Sequence, residues 1–352
     1  MRSESFAAVA FADLRRIDRS PAAGCAATGL REPGLPASRL CHRQTRPGIG
    51  ESGRTILGES EVRSDMFVTL KRRAAFAAAH NYSIALLSDQ ANESLFGRFA
   101  SSEGHGHNYQ VEIAVAGRID DRTGMVVNIV EIDAALKANV ISELDGKFLN
   151  REVGYFQTRS PSTENIVRFV RERLDGKLPQ GVVLIGVTVW ESATLWSDWK
   201  LEGDCETGGS KDTMITLSRA YDFSASHRLH SARLSDAENK QIFGKCNNPN
   251  GHGHNYEIEV SVTGTPGERS GTVYSLDDLD KAVDEEVLAV MDHKHLNFDV
   301  PDFFDVNPTS EMLAVVIWNR LARRLPISGD PRLSRVLVRE TARNSFEYCG
   351  KD

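Results

Sequence analysis

Cysteine is sparse in this chain of 352 residues. The five that occur, Cys25, Cys41, Cys205, Cys246 and Cys349, are odd in number, scattered, and never spaced as Cys-x-x-Cys. That usage excludes a disulfide framework or a cysteine zinc knuckle as the organising device, and it predicts a reducing, cytoplasmic setting. No apolar run reaches the roughly 18 residues of a membrane-spanning helix, so neither a span nor a membrane partner is expected. Positive charge is not in excess either: 42 Lys and Arg stand against 49 Asp and Glu, a formal net charge of −7 at pH 7. A general nucleic-acid binder presents a broad basic surface, so nucleic acid is not the expected partner. Any anionic ligand must be held by a local basic pocket.

Lysine is absent from residues 1–65, which are rich in Arg, Ser, Ala, Pro and Gly and carry neither a helical nor a strand period. The expectation is a disordered tail, or an extension upstream of a natural start at Met66. A transit peptide would share the Arg and Ser content, but Glu4, Asp13, Asp18 and Glu32 argue against it.

What the chain does contain is one phrase written twice, Gly-His-Gly-His-Asn-Tyr, in SSEGHGHNYQVEI and again in NPNGHGHNYEIEV. An offset of 147 residues superimposes His80 on His227, His105 on His252, His107 on His254, Asp145 on Asp292, Asn150 on Asn297 and Glu164 on Glu311. A constant offset over that distance marks a duplicated unit. The expected organisation is one copy over 66–200, a polar linker over 201–213 and a second copy over 214–352.

Each copy has the same pattern. A strand leads to the first His, and a second alternates as YQVEIAVAG or YEIEVSVTG. An amphipathic helix follows, in the second copy through Leu276, Leu279, Val283, Val287 and Met291. Another helix begins at SPSTENIVRFV or NPTSEMLAVVIW, with Ser162 or Thr309 as its cap, and strands close the copy. The order ββααββ predicts an α+β domain, helices on one face of an antiparallel sheet.

In a strand, residues i and i+2 point the same way, so His-Gly-His presents both imidazoles to one point. A third comes from the preceding strand, His227 in FSASH and His80 in FAAAH. Three neutral imidazoles with a fourth position open is the arrangement of a catalytic zinc site. A lone His-x-His is more often a surface pair; a third His at equal spacing in both copies tips the reading toward metal. His230 has no counterpart, since Ser83 stands there, and is treated as incidental.

Cys246 stands six residues before His252, as a proton-moving thiol or a buried inert one. Asp292 beside His293 is the pairing in which a carboxylate orients an imidazole, although a helix-terminal His also suits the dipole. Glu340, in VRET, is a surface charge or a carboxylate that binds a guanidinium-like edge.

Together, FSASHRL, CNNPNGHGHNY, MDHKHLN, NPTSEM and VRET resemble the 6-pyruvoyltetrahydropterin synthase family, of the tunnelling fold (T-fold). The likeness covers nearly all of 214–352 and, less completely, 66–200. It implies conversion of 7,8-dihydroneopterin triphosphate to 6-pyruvoyltetrahydropterin with loss of triphosphate, a step toward tetrahydrobiopterin. It further implies zinc on His227, His252 and His254, with Cys246 as the base and Asp292 and His293 as its relay. Glu340 would anchor the pterin with Thr309 nearby, and magnesium would accompany the triphosphate. Lys245, Lys294 and Arg228 are candidates for that triphosphate by adjacency alone. The five residues between Cys246 and the first His of the pair lean toward the pyruvoyl enzyme and away from 6-carboxytetrahydropterin synthase of the queuosine pathway, which usually has three. Two further functions fit the same motifs: a folate-branch relative cleaving the same substrate's side chain, and a zinc- or pterin-binding protein without turnover.

In the first copy, His80, His105 and His107 keep the metal pattern, but Phe99 replaces Cys246 and Gly146 replaces His293. Glu191 could still hold a pterin, although it matches Glu340 only after a two-residue shift, and Glu103 is a weak substitute base. A catalytically reduced partner domain is expected. The resemblance also implies a homo-oligomer that closes a barrel from several copies; the expectation for this chain is that productive sites pair second copies from different chains, or that it makes fewer sites than it has domains.

Overall fold

The computed structural model describes residues 67–100, 103–201, 214–268 and 270–350. The tail at 1–65 and nearly all of the linker over 201–213 lie outside the described residues.

The long strands β1 (Phe67–His80) and β2 (His105–Arg118) pair antiparallel along their whole length, and β6 (Ile215–His227) and β7 (His252–Gly264) do the same in the second copy. Alternation decides which face is buried: Tyr109, Val111, Ile113 and Val115 are all fully buried, as are Tyr256, Ile258, Val260 and Val262. That face is covered by the helix Thr163–Leu174 in one copy and Ser310–Leu321 in the other, through Ile166, Phe169 and Val170 or Leu313, Ile317 and Leu321. Both helices begin at the predicted caps: Ser162 Oγ accepts from Asn165 N, and Thr309 Oγ1 from Met312 N.

The predicted amphipathic helix is present with one alteration. Ile132, Leu136, Val140 and Leu144 recur every four residues, as do Val283, Val287 and Met291, and all are buried. Four exceeds the roughly 3.6 residues of an α-turn, so the apolar stripe would drift off the core. A π-turn at 137–141 and at 284–288 absorbs the excess. Not anticipated from sequence are the short helices Asp89–Phe96 and Asp236–Phe243, each followed by a 3-10 turn that carries Phe99 or Cys246.

The closing strands are β4 (Val182–Ser192) with β5 (Leu195–Lys200), and β9 (Arg332–Thr341) with β10 (Asn344–Tyr348). The two-residue β3 (Lys147–Phe148) and β8 (Lys294–His295) add parallel to β1 and β6. The two copies are not separate sheets. β5 pairs with β6, Leu195 opposite Arg219 and Asp198 opposite Thr216, which gives one sheet in the order β10-β9-β7-β6-β5-β4-β2-β1-β3.

The seam at this joint is polar and extensively hydrogen-bonded. Ser162 Oγ donates to the Gly271 carbonyl at 2.9 Å, and Val273 N donates to the buried Glu164 at 3.0 Å. Arg98 reaches Asp280, which also receives the Tyr221 hydroxyl at 2.8 Å and Arg219 at 2.6 Å. Gly271 is required here. Its φ is +70°, and a Cβ would fall 1.7 Å from Asn165 Nδ2.

Candidate metal and pterin site

The register of β6 on β7 sets His227 directly opposite His252, with His254 two residues along on the same side. The ring centroids stand 4.6, 5.2 and 4.9 Å apart, and His227 Nε2 lies 3.2 Å from His252 Nε2. His227 Nδ1 donates to the Pro308 carbonyl at 2.8 Å, which assigns its proton and leaves the Nε2 lone pair pointing at its neighbours. His254 Nε2 is buried without a hydrogen-bond partner. Burial, and the neighbouring imidazoles, hold the His227 ring below its usual pKa and therefore neutral. Lone pairs that converge, an orphaned buried nitrogen and neutral rings together fit a divalent metal ion. One donor atom from each of His227, His252 and His254 lies within 4.8 Å of the others.

Around this cluster stand the other residues singled out from sequence. Glu340 Oε1 is 3.7 Å from both His227 Nε2 and His254 Nε2, and its Oε2 accepts from Asn344 Nδ2 at 3.3 Å. Cys246 is a free, half-buried thiol in the turn Gly244–Asn247, whose carbonyl accepts from Leu229 N. The buried Tyr256 hydroxyl, 3.4 Å from His227 Nδ1, is pushed well above the ordinary phenol range by burial first and then by the charges of Glu340 and Cys246. The Glu340 carboxylate and the imidazoles thus stand together, with the Cys246 turn bonded to the chain two residues past His227.

Asp292 and His293 do form the expected pair, His293 Nδ1 to Asp292 Oδ2 at 2.9 Å. Asp292 Oδ1 accepts from Ser224 N, and that bond, followed by His293, holds the carboxyl below its usual range. His293 is 82 % exposed and shares an open cleft with Ser226, His254, Asn255, Lys294 and His295. Among the described residues no hydrogen bond joins this pair to Cys246. His230 is held aside by Asn247 and Arg228, and Thr309 is engaged as a helix cap. Asn297, which the repeat matches to Asn150, receives Arg228 N and donates back to the Arg228 carbonyl; it fixes the chain just past His227.

The first copy repeats the geometry and changes its surroundings. His80 lies opposite His105, ring centroids 4.7 Å apart, and His80 Nδ1 donates to the Pro161 carbonyl at 3.1 Å. Glu191 joins this cluster: its donor atom and those of His80, His105 and His107 all lie within 4.8 Å of one another. The two-residue shift against Glu340 has no structural consequence, because Trp190 pairs with Gln110 as Arg339 pairs with Glu257. Burial pushes His80 down to about 3 and Glu191 up to about 7, so their proximity at 3.6 Å is not an ion pair of the ordinary kind. Tyr82, in the place of Leu229, donates its hydroxyl to Glu191 at 3.1 Å, and nothing in composition or period signalled that contact. Glu103 is exposed and outside the cluster.

The fold and the paired histidine clusters define a tandem α+β protein of T-fold type with two groups of side chains that could hold a metal ion. The chain belongs to the 6-pyruvoyl tetrahydropterin synthase family, whose profile matches residues 69–202 and again 216–351. It is 47% identical over 144 residues to human 6-pyruvoyl tetrahydrobiopterin synthase, covering 41% of this chain and 97% of the relative. With the guppy Poecilia reticulata protein of the same name it shares 48% over 135 residues, 38% of this chain and 90% of the relative. The solved 6-pyruvoyl tetrahydropterin synthase of Caenorhabditis elegans is 44% identical, covers 39% of this chain and 96% of its own, and superposes with a TM-score of 0.37.

Proposed function

We propose that the second copy, 214–352, is a zinc-dependent 6-pyruvoyltetrahydropterin synthase, a carbon–oxygen lyase acting on 7,8-dihydroneopterin triphosphate. The reading is carried by the three converging imidazoles of His227, His252 and His254 with Glu340 beside them, in a chain whose relatives bear that name. Triphosphate leaves as the two side-chain hydroxyl carbons become carbonyls and the ring is reduced, so the reaction balances without an external redox partner. Zinc on the three imidazoles supplies a Lewis acid for the side-chain hydroxyls.

The remaining work falls to this chain's side chains. Glu340 accepts from the pterin amino and ring N–H groups, which orients the side chain toward the histidines. Cys246 takes the proton from a side-chain carbon. Asp292 and His293 pass protons from a neighbouring chain, because within one chain they are not joined to the thiol. Lys245, Lys294 and Arg228 are offered to the triphosphate, with magnesium accompanying it.

The first copy, 66–200, serves as a partner domain. The free edge of β10 is the counterpart of β5, and residues 68–72 of β1 are the counterpart of 215–219 of β6. Val68 is 40% exposed where Ile215 is 1% exposed, as expected of a joint awaiting its strand. A second copy of the chain fits that edge, and a homo-oligomer follows. Among the described residues no helix is long and apolar enough to cross a membrane.

The deciding experiment incubates the pure chain with 7,8-dihydroneopterin triphosphate, with and without a chelator, and weighs the product. A chelator-sensitive 6-pyruvoyltetrahydropterin product is expected. The 6-carboxy product would make the chain a 6-carboxytetrahydropterin synthase, a product cleaved at the side chain would make it a folate-branch enzyme, and binding without turnover would make it a pterin-binding protein.

A further inference from the structure

We propose that the first copy holds a divalent metal ion in a closed shell of four donors, His80, His105, His107 and Glu191, and that this centre is structural and takes no pterin. The inference rests on the metal-binding reading of the matching imidazoles in the second copy, and deepens it.

The donor sets of the two copies differ. In the first, a carboxylate oxygen lies within 4.8 Å of all three imidazole donors; in the second only the imidazoles meet that condition. Glu191 spans its cluster with both oxygens, Oε2 3.6 Å from His80 Nε2 and Oε1 3.5 Å from His107 Nε2. A tetrahedral ion with bonds of about 2.1 Å sets its donors roughly 3.4 Å apart. Glu340 comes nearly as close, 3.7 Å from two imidazoles, but through a single oxygen and without reaching the third. His80 Nε2 and His107 Nε2 are buried and have no hydrogen-bond partner, so each lacks a partner that an ion would supply.

The carboxylate is also immobilised, and aromatic side chains pack on its inner side, while His105 faces the surface. The Tyr82 hydroxyl donates to Glu191 Oε2, which fixes the plane of the carboxylate and occupies a lone pair that a pterin would need. The Tyr82 ring is 2% exposed and packs against His80 and Phe99, with centroids at 5.2 and 6.1 Å. Phe99 stands where the second copy has its thiol. Next to it Arg98 is drawn to Asp277 and Asp280 of the second copy, which ties this turn to the seam. Ser162 and Glu164, the counterparts of Thr309 and Glu311, are consumed by Gly271 and Val273 across the same seam. Four donors leave no open position for substrate, which is the condition of a structural site.

The test uses the full chain as purified. Metal per chain is measured by elemental analysis, and its release to excess EDTA is followed in time. Two equivalents are expected, one per cluster, leaving in two separate phases. His254→Ala should remove the fast phase alone. Glu191→Gln and Tyr82→Phe should accelerate the slow phase about 10- to 100-fold and leave the fast one in place. Tyr82→Phe removes only a hydroxyl and keeps the test available should Glu191→Gln not fold. One equivalent per chain, two indistinguishable phases, or a slow phase indifferent to both substitutions would overturn the proposal. Turnover without a slow metal would sink this inference and leave the proposed activity standing; a slow metal without turnover would do the reverse.

Discussion

His293 and Gly146 hold the same left-handed backbone position in the two copies, with φ of 57° and 71°. Glycine adopts that conformation freely, whereas a side chain is strained there by roughly 1–2 kcal/mol. A residue kept under strain beside Asp292, largely exposed, points to work done outside its own chain. His293→Gly should therefore stabilise the protein by about 1 kcal/mol while turnover falls. Thermal melting and steady-state rates on the same preparation check both halves.

In the proposed reaction Cys246 moves a proton and does not hold the metal. Cys246→Ala should lower kcat about 10²- to 10⁴-fold, the usual worth of a positioned acid or base. Metal content should stay as in the parent protein. Loss of metal along with activity would return the thiol to the ligand set.

In the proposed function Glu340 is the acceptor for the pterin edge. Glu340→Gln turns one acceptor into a donor aimed at N–H groups, which should cost at least about 1.5–3 kcal/mol, roughly 10- to 100-fold in kcat/KM. Comparing pterin substrates with and without the exocyclic amino group reads the contact directly: the variant should no longer distinguish them.

Gly271 lets the second copy's loop reach Ser162 and Asn165. Gly271→Ala should destabilise by at least about 1–3 kcal/mol from backbone strain alone, before the collision with Asn165. Calorimetry of the full chain measures it, and a melting curve identical to that of the parent would mean the seam does not form as described.

Asp198 lies in β5 at the seam, where burial raises its pKa above the ordinary 3.8 despite Lys200. The native state thus resists ionising a group that the unfolded chain ionises readily. Stability from this residue is intact below the ordinary value and is lost as pH rises through the folded one. Asp198→Asn should melt higher than the parent at pH 7, and the two curves should converge below about pH 3.8.

Much of the site was legible because strand geometry is local. His-Gly-His must place two imidazoles on one side of a strand, and the offset carrying His80 onto His227 required the same of both copies. The helix caps Ser162 and Thr309 were readable for the same reason. The helix bearing Phe99 or Cys246 was not, since eight residues with a weak apolar stripe carry too little period to stand out.

By itself the sequence determined the duplication, the element types and the residues able to bind a metal, all of which follow from periodicity and residue chemistry within a short stretch. Only the tertiary structure decided that β5 joins β6 into one sheet, that Glu191 closes the first cluster, and that Tyr82 occupies its carboxylate. The contacts of Glu191 and Tyr82 depend on side chains that meet across about 100 residues of intervening chain, and the β5–β6 joint on strand pairing across the linker, so no local pattern encodes a meeting that packing alone brings about.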